Sequence, residues 1–205
     1  MTRREPLVLL LLTCVALVAS RIGAYQPGTW LAEVIWVVLG VPILGATYRR
    51  MPLSDLAYLA LAAFALVIVF GAHYTYARVP IGEWARDQFG FARNHYDRLG
   101  HFMQGFTPAI VLRELLIRTS KIGASRTKWR PLIVTGLCLG IAALFELFEA
   151  AWAVNFSSSG ATEDLGAQGD KWDTQWDMFD ALVGAIVAQV TLSKVHDRSM
   201  RKLAN

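Results

Sequence analysis

Cysteine is scarce in this sequence. There are two in 205 residues, Cys14 and Cys138, both inside apolar runs. They form no Cys-x-x-Cys pair and have no histidine at zinc-ligand spacing, so they read as small buried hydrophobes rather than as a disulfide or zinc framework. Histidine is almost as rare, at four. No His-Glu-x-x-His, P-loop or Ser-His-Asp arrangement is present, which removes the signatures of zinc proteases, P-loop NTPases and serine hydrolases. No internal repeat or low-complexity segment stands out. The segment from Glu163 to Asp173 is rich in acids and glycine. It lacks the Asp/Asn alternation and terminal glutamate of an EF-hand loop.

What the chain has in excess is apolar residue: 55% hydrophobic, with a mean hydropathy of +0.39. A soluble domain of this length buries a core with less, and the excess here lies in long runs, which points to lipid. The net charge of +4 does not imply a nucleic-acid partner, because the basic residues alternate between loops instead of forming one stripe. Six runs, at residues 6–20, 29–48, 56–72, 99–117, 131–154 and 176–195, approach the ~20 residues that a helix needs to cross hydrocarbon. The sequence therefore predicts an all-α, polytopic transmembrane helical bundle of about six spans. It forms a single membrane domain over residues 1–205, with outer loops at 74–96 and 155–175 carrying short interfacial structure.

Charge placement predicts the orientation. Arg3, Arg4, Arg49, Arg50, Arg118, Lys121, Arg126, Lys128, Arg130, Lys194, Arg198, Arg201 and Lys202 would lie on one side. Arg21, Arg78, Arg86, Arg93, Arg98 and Lys171 would lie on the other, with Arg113 near the first side. The richer side is the cytoplasmic one by the positive-inside rule, so both termini are expected inside. The first run also has the layout of a signal peptide. It lacks a clean Ala-x-Ala site and is long for such a segment, so a retained span is the preferred expectation. Gly136 and Gly140, four apart in the fifth run, suit close packing inside the bundle.

Depth is the informative quantity for the polar residues inside these runs. At 1.5 Å per residue, Glu146 lies ~22 Å above Pro131 and Glu149 one turn higher, while Asp177 and Asp180 lie ~6 and ~10 Å below Asp173. His101 is one turn below Asp97, and Gln104 another turn down. Spacings of three or four put Glu146 with Glu149, Asp177 with Asp180, and Asp97 with His101 on shared helix faces. Three helices thus present carboxyl or imidazole groups at similar depth near the outer surface. Ionised carboxylates cannot crowd together beside lipid unpaired. They must be protonated, paired with Arg93, Arg98 or Lys171, wetted by a funnel, or neutralised by a cation. Oxygen donors with an imidazole suit Mg²⁺, Mn²⁺, Ca²⁺ or Zn²⁺, with the carboxylate excess favouring the harder ions. A structural ion-pair network is the competing explanation. His95 is expected in an exposed loop, His196 in a cytoplasmic tail, and Arg113 with Glu114 snorkelling or pairing at the inner interface.

Several of these stretches together resemble a known family. They are His73-Tyr74-Thr75-Tyr76-Ala77, the run from Asn94 through Asp97-Arg98-Leu99-Gly100-His101 to Phe102, Arg113-Glu114, and Phe145-Glu146-Leu147-Phe148-Glu149. Leu165-Gly166-Ala167-Gln168-Gly169-Asp170 and Trp172-Asp173-Thr174-Gln175-Trp176-Asp177-Met178 complete the set. The combination, over about residues 71–189, resembles the YjdF-like family of bacterial inner-membrane proteins. That likeness implies a multi-pass bacterial inner-membrane location and a helical fold more than an activity. A more distant similarity is to VanZ-like membrane proteins. Asp97 and His101 match their Asp-x-x-x-His element, Glu146 and Glu149 their acidic pair, and Asp177 and Gly184 their last helix. Ala181 stands where that family has asparagine, and Asp180 is additional.

Three functional classes remain open on the sequence. The first is a divalent-metal-dependent site acting on or binding an envelope or lipid-linked substrate. Its metal ligands would come from Asp97, His101, Glu149, Asp173 and Asp177, and its catalytic groups from Glu146, Glu149 and Asp180. His73, Tyr74, Arg98, Gln104, Gln168, Asp170 and Gln175 would contact substrate. The second is a cation or proton transporter component using the same carboxylates as a relay. The third is a non-catalytic envelope protein whose charged outer funnel binds a partner, with the segment from Glu163 to Asp173 as a lid.

Overall fold

Each long apolar run folds as one helix. The computed structural model describes residues 4–125, 128–156 and 168–203. Its helices are α1 (Glu5–Arg21), α2 (Pro27–Thr47), α3 (Asp55–Tyr74), α4 (Pro80–Phe89), α5 (Tyr96–Thr119), α6 (Lys121–Ala124), α7 (Trp129–Phe156) and α8 (Asp173–Arg201). A 3-10 turn, Tyr76–Arg78, separates α3 from α4, and there is no strand among the described residues. Local chemistry sets several ends. Prolines open α1, α2 and α4, where a missing N–H costs nothing. The Ser54 hydroxyl accepts the Ala57 N–H at the start of α3, and Gly90, at φ +67°, closes α4 in the left-handed cap that glycine adopts most readily.

Four helices, α2, α3, α7 and α8, are both long and apolar enough to cross a membrane. The other two predicted spans differ for identifiable reasons. α1 has only 17 residues, and α5 carries Asp97, Arg98, Arg113, Glu114 and Arg118 along its 24. The six long helices alternate in direction. α5 and α8 run the same way side by side, since Arg98 meets Asp177 near their starts and Arg113 meets Asp197 near their ends. Glycine permits this pairing. A Cβ on Gly105 would overlap the Ala181 carbonyl, and one on Gly184 would overlap that of Phe102. α3 and α7 pack on the flanks of α5, and α1 and α2 pack against α3.

Two expectations are corrected. Gly136 and Gly140 do not pack closely within the bundle: among the described residues, nothing lies within 4 Å of a Cβ built on either. His196 is not in a tail, because α8 continues to Arg201 and holds it 1% exposed against α5. The bundle has an acidic end, where α5 and α8 begin, and a basic end, where they finish.

A candidate acid and histidine site

At the acidic end the start of α5 is held by Asn94, which is fully buried. Its amide donates to the Ala77 and Val79 carbonyls at 3.1 and 3.0 Å, and its side-chain oxygen accepts the Tyr96 N–H at 3.0 Å. Gln168 grips the backbone of the same residue from the other side, accepting from the Asn94 N–H and donating to its carbonyl. One asparagine thus ties the 3-10 turn, α5 and the approach to α8 together.

The charged groups here fall into two tiers. In the upper tier two guanidinium groups bind the acids of α8. Arg93 reaches Asp173 at 2.5 Å, and Arg98 reaches Asp177 at 2.6 Å, Asp173 at 3.2 Å and Asp170 at 3.3 Å. Asp180 meets Arg98 only at 3.8 Å, and its buried Oδ2 has no hydrogen-bond partner among the described residues. Asp97, buried and 3.5 Å from Arg93, is paired as well. Lys171 instead lies over the Trp172 ring at 5.6 Å.

The lower tier surrounds His101, which is 5% exposed. Its Nδ1 lies 3.0 Å from the side-chain oxygen of Gln104, one helical turn on, so Nδ1–H donates there. The Nε2 face then points at Asp97 Oδ1, 3.5 Å away, and Asp177 Oδ1, 3.8 Å away. Glu146 lies 3.7 Å from Nδ1, and its buried Oε1 has no hydrogen-bond partner among the described residues. Two groups of potential metal ligands share this imidazole: Asp97, His101 and Asp177, and His101, Glu146 and Glu149. Within each, one donor atom per residue lies within 4.8 Å of the others.

The lower tier forms one wall of a cavity of about 310 Å³ between α2, α3, α5 and α7. Glu33, Tyr76, Asp97, His101, Gln104 and Glu149 line its polar side, and Trp36, Phe64, Ile68, Leu144 and Phe145 its apolar side. Tyr76 enters through a slot between two glycines: its ring lies 2.7 Å from a Cβ built on Gly71 and 2.9 Å from one built on Gly100. The preceding Thr75 is held at φ +59°, a strained conformation for a β-branched residue. Burial, with the nearby Glu33 and Asp97 carboxylates, pushes the Tyr76 phenol well above its ordinary range, so it remains a neutral donor.

Glu33 and Tyr76 were absent from the predicted site. Glu33 is the lone acid of α2 and is 8% exposed, and an isolated carboxylate inside an apolar run is itself a signal of function. Other predicted residues do not join the cluster. His73 Nδ1 donates to the Ser20 carbonyl at 2.9 Å, and Tyr74 packs edge-on to Phe70, both facing a separate hollow beside α1. Gln175 is exposed. The proposed lid residues Glu163 and Asp164 lie outside the described residues.

Comparison with known proteins gives the family. A model described as "Predicted membrane protein (DUF2238)" matches residues 5–198. The chain belongs to that family. It is 42% identical over 207 residues to the inner membrane protein YjdF of Escherichia coli (strain K12), a match covering 98% of this chain and 97% of that one. No solved structure matches. The chain is accordingly a multi-pass membrane protein of the bacterial inner membrane, and residues 5–198 of the family match span both tiers of the acidic end.

Proposed function

We propose that the acidic end is a divalent-cation site at the outer face of a six-span bundle with both termini in the cytoplasm, and that it binds or acts on a lipid-linked or envelope substrate. The observation that carries this reading is the shared imidazole: two three-residue ligand groups meet at His101 on the wall of a cavity. Eight carboxyl groups (Glu33, Asp97, Glu146, Glu149, Asp170, Asp173, Asp177 and Asp180) gather around Arg93, Arg98 and one histidine. A bound cation offsets part of that excess.

The hydrogen bonding favours one ligand set. Gln104 accepts from Nδ1–H, which leaves Nε2 facing Asp97 and Asp177, where it would lend its lone pair to a cation held between them, the arrangement in which an outer partner orients a ligating imidazole. Asp173 is engaged by both arginines and serves as a brace for Asp177 rather than as a ligand. Asp97, His101 and Asp177 would hold the cation, which when bound would supply Lewis-acid polarisation of an ester or phosphoryl oxygen and a lowered pKa for bound water. Glu146 and Glu149, on the opposite side of the imidazole, stand as proton acceptors. The phenol of Tyr76 stands as a donor to a substrate oxygen.

Elemental analysis of the purified full-length protein tests the reading. We expect a divalent metal at near one per chain, retained in Glu149→Gln and lost in His101→Ala and Asp177→Asn. No bound metal in the wild type after supplementation with Mg²⁺, Mn²⁺, Ca²⁺ or Zn²⁺ would sink it.

A further inference from the structure

The cavity beside His101 holds an acid that the cation reading leaves unused. Glu33 of α2 and Tyr76 of the 3-10 turn are each 8% exposed, and both line it. Among the described residues, neither the Glu33 carboxyl nor the Tyr76 hydroxyl is hydrogen-bonded, and no salt bridge reaches Glu33. Among those residues, too, no lysine or arginine lines the cavity. Arg93 and Arg98 are committed to Asp97, Asp170, Asp173 and Asp177 in the upper tier. A carboxyl buried without a partner loses its hydration uncompensated, so Glu33 calls for a ligand that brings the partner with it.

A single metal ion does not answer that call. In each metal-ligand group at His101 the donor atoms lie within 4.8 Å of one another, and Glu33 belongs to neither group. The space is also larger than an ion needs. At about 310 Å³ it reaches the size at which small-molecule pockets begin, about 300 Å³. Its remaining wall is rich in rings, from Trp36, Phe64, Tyr76 and Phe145. Trp36 and Phe145 also pack on each other, with centroids 5.8 Å apart. Aromatic rings beside a carboxylate are the combination that receives an organic ammonium ion, because the ring quadrupole attracts the positive charge and the carboxylate balances it. An anion would meet repulsion from Glu33, Asp97 and Glu149. A neutral molecule would leave Glu33 buried and unpaired.

We propose that this cavity binds an organic ammonium ion, with its charge at Glu33 and its alkyl groups against Trp36, Phe64 and Phe145. The substrate of the site is then a molecule that carries an amine, and the unpaired Tyr76 phenol is the donor available to an oxygen of the same molecule. The inference deepens the substrate side of the cation reading and rests on it in one respect. With His101 neutral as a metal ligand, no positive side chain faces the cavity, whereas a protonated imidazole would offset one of its three carboxylates.

Calorimetric titration of the full-length protein in dodecyl maltoside, a detergent with neither charge nor amine, tests this. The probes are choline, ethanolamine and dimethylbutanol, the neutral carbon isostere of choline. We expect at least one amine to bind and the isostere to bind far more weakly. Glu33→Gln keeps the shape and removes the charge, and should weaken amine binding by about 30-fold or more, as loss of one partner of a buried charge pair does. Trp36→Leu should weaken choline by about 2- to 30-fold, with Trp36→Phe retaining most of the affinity. Metal content by elemental analysis of the same samples should be unchanged in all three variants. Equal affinity of the wild type for choline and dimethylbutanol overturns the proposal whatever the variants do. So does the absence of binding by both amines, or undiminished amine binding in a monodisperse Glu33→Gln protein. Dihexanoyl phosphatidylcholine, titrated below its micelle concentration, reads the source of the amine. Tighter binding than choline assigns a lipid head and weaker binding a free amine, and both keep the ammonium at Glu33. Amine binding by a protein that holds no metal leaves this site standing and removes the cation reading, and metal binding without amine binding does the reverse.

Discussion

The two ends of the α5–α8 pair use the same kinds of residue to opposite effect. At the basic end, Glu114 is fully buried and fully partnered. It accepts the Ser54 N–H at 2.9 Å, Arg118 at 2.8 Å and His196 Nε2 at 3.1 Å. His196 in turn accepts from Arg113 at Nδ1, 3.2 Å away, and Arg113 also binds Asp197 at 2.6 Å. Two carboxylates face two guanidiniums across a neutral imidazole, and no usable volume remains beside them. At the acidic end, among the described residues, the carboxylates outnumber the cations, two buried carboxylate oxygens lack hydrogen bonds, and a cavity opens alongside. The difference teaches what separates a clamp from a site. Charge balance, hydrogen-bond completeness and the absence of space mark the first, and their opposites mark the second.

The same contrast bears on ion conduction. Between Gln104 and Arg113, the buried positions of α5 are Gly105, Thr107, Ala109 and Ile110. A relay linking the two networks would have to cross this layer, and Thr107 donates to the Ala60 carbonyl rather than along such a path. Along α5, no buried charged side chain joins the two networks.

If the basic end is a clamp, breaking it gives the largest effect. Glu114→Ala strands the Ser54 N–H, Arg118 and His196 in a buried setting, and removing one partner of a buried pair costs about 3–5 kcal/mol. The expected outcome is a large fall in thermal midpoint in detergent, or loss of the monodisperse species on size exclusion, with any residual folded protein still binding metal. A midpoint within a degree or two of wild type would show that the network is not structural, and the comparison between the ends would lose its basis.

A smaller effect, confined to binding, is expected from Gln104→Ala. Its amide does not touch the proposed ion but fixes the imidazole orientation, and loss of such an outer partner typically weakens metal affinity by about 10–100-fold. Titration with Mn²⁺ or Zn²⁺ measures this, and Gln104→Glu should restore most of the affinity because it keeps an acceptor for Nδ1–H. Equal affinity in Gln104→Ala would point to Nδ1, and so to the Glu146 and Glu149 group, as the metal face.

Much of this arrangement was legible in the sequence because helical spacing is rigid. Asp97 with His101 and Asp173 with Asp177 fall on single faces by arithmetic alone, and depth brought Glu146 to the same level. What arithmetic could not supply was rotation between helices and the path of connecting chain. His73 lies one residue from the end of α3 yet turns toward Ser20 of α1, while Tyr76, past the strained Thr75, swings back into the cavity. Glu33 sits in a run apolar enough to read as a plain span, and only the packing of α2 across from α5 and α7 brings it to the cavity. His196 was misplaced because the apolar pattern fades before α8 ends, and its burial depends on partners more than 80 positions away.

The smallest predicted effect tests the contrast most directly, because it depends on sign. Asp180→Asn and Asp197→Asn each remove one carboxylate from a network at one end of α8. At the basic end the loss is of a 2.6 Å pair with Arg113 in a balanced group, with Asp197 46% exposed at its side chain. Such a pair is worth about 0.2–1 kcal/mol, so stability should fall slightly. At the acidic end Asp180 contributes a 3.8 Å contact to an arginine already held by Asp170, Asp173 and Asp177, and it adds to a like-charged crowd. Its neutralisation should leave stability unchanged or raise it, because relief of repulsion outweighs one long contact. Thermal midpoints measured side by side at low ionic strength, with chelator present, should move in opposite directions. Added salt should shrink both shifts, the exposed Asp197 one more. Two shifts of the same sign would mean that the acidic end is balanced by protons or partners in the way that the basic end is balanced by arginines, and the charge excess on which the cation reading leans would be gone.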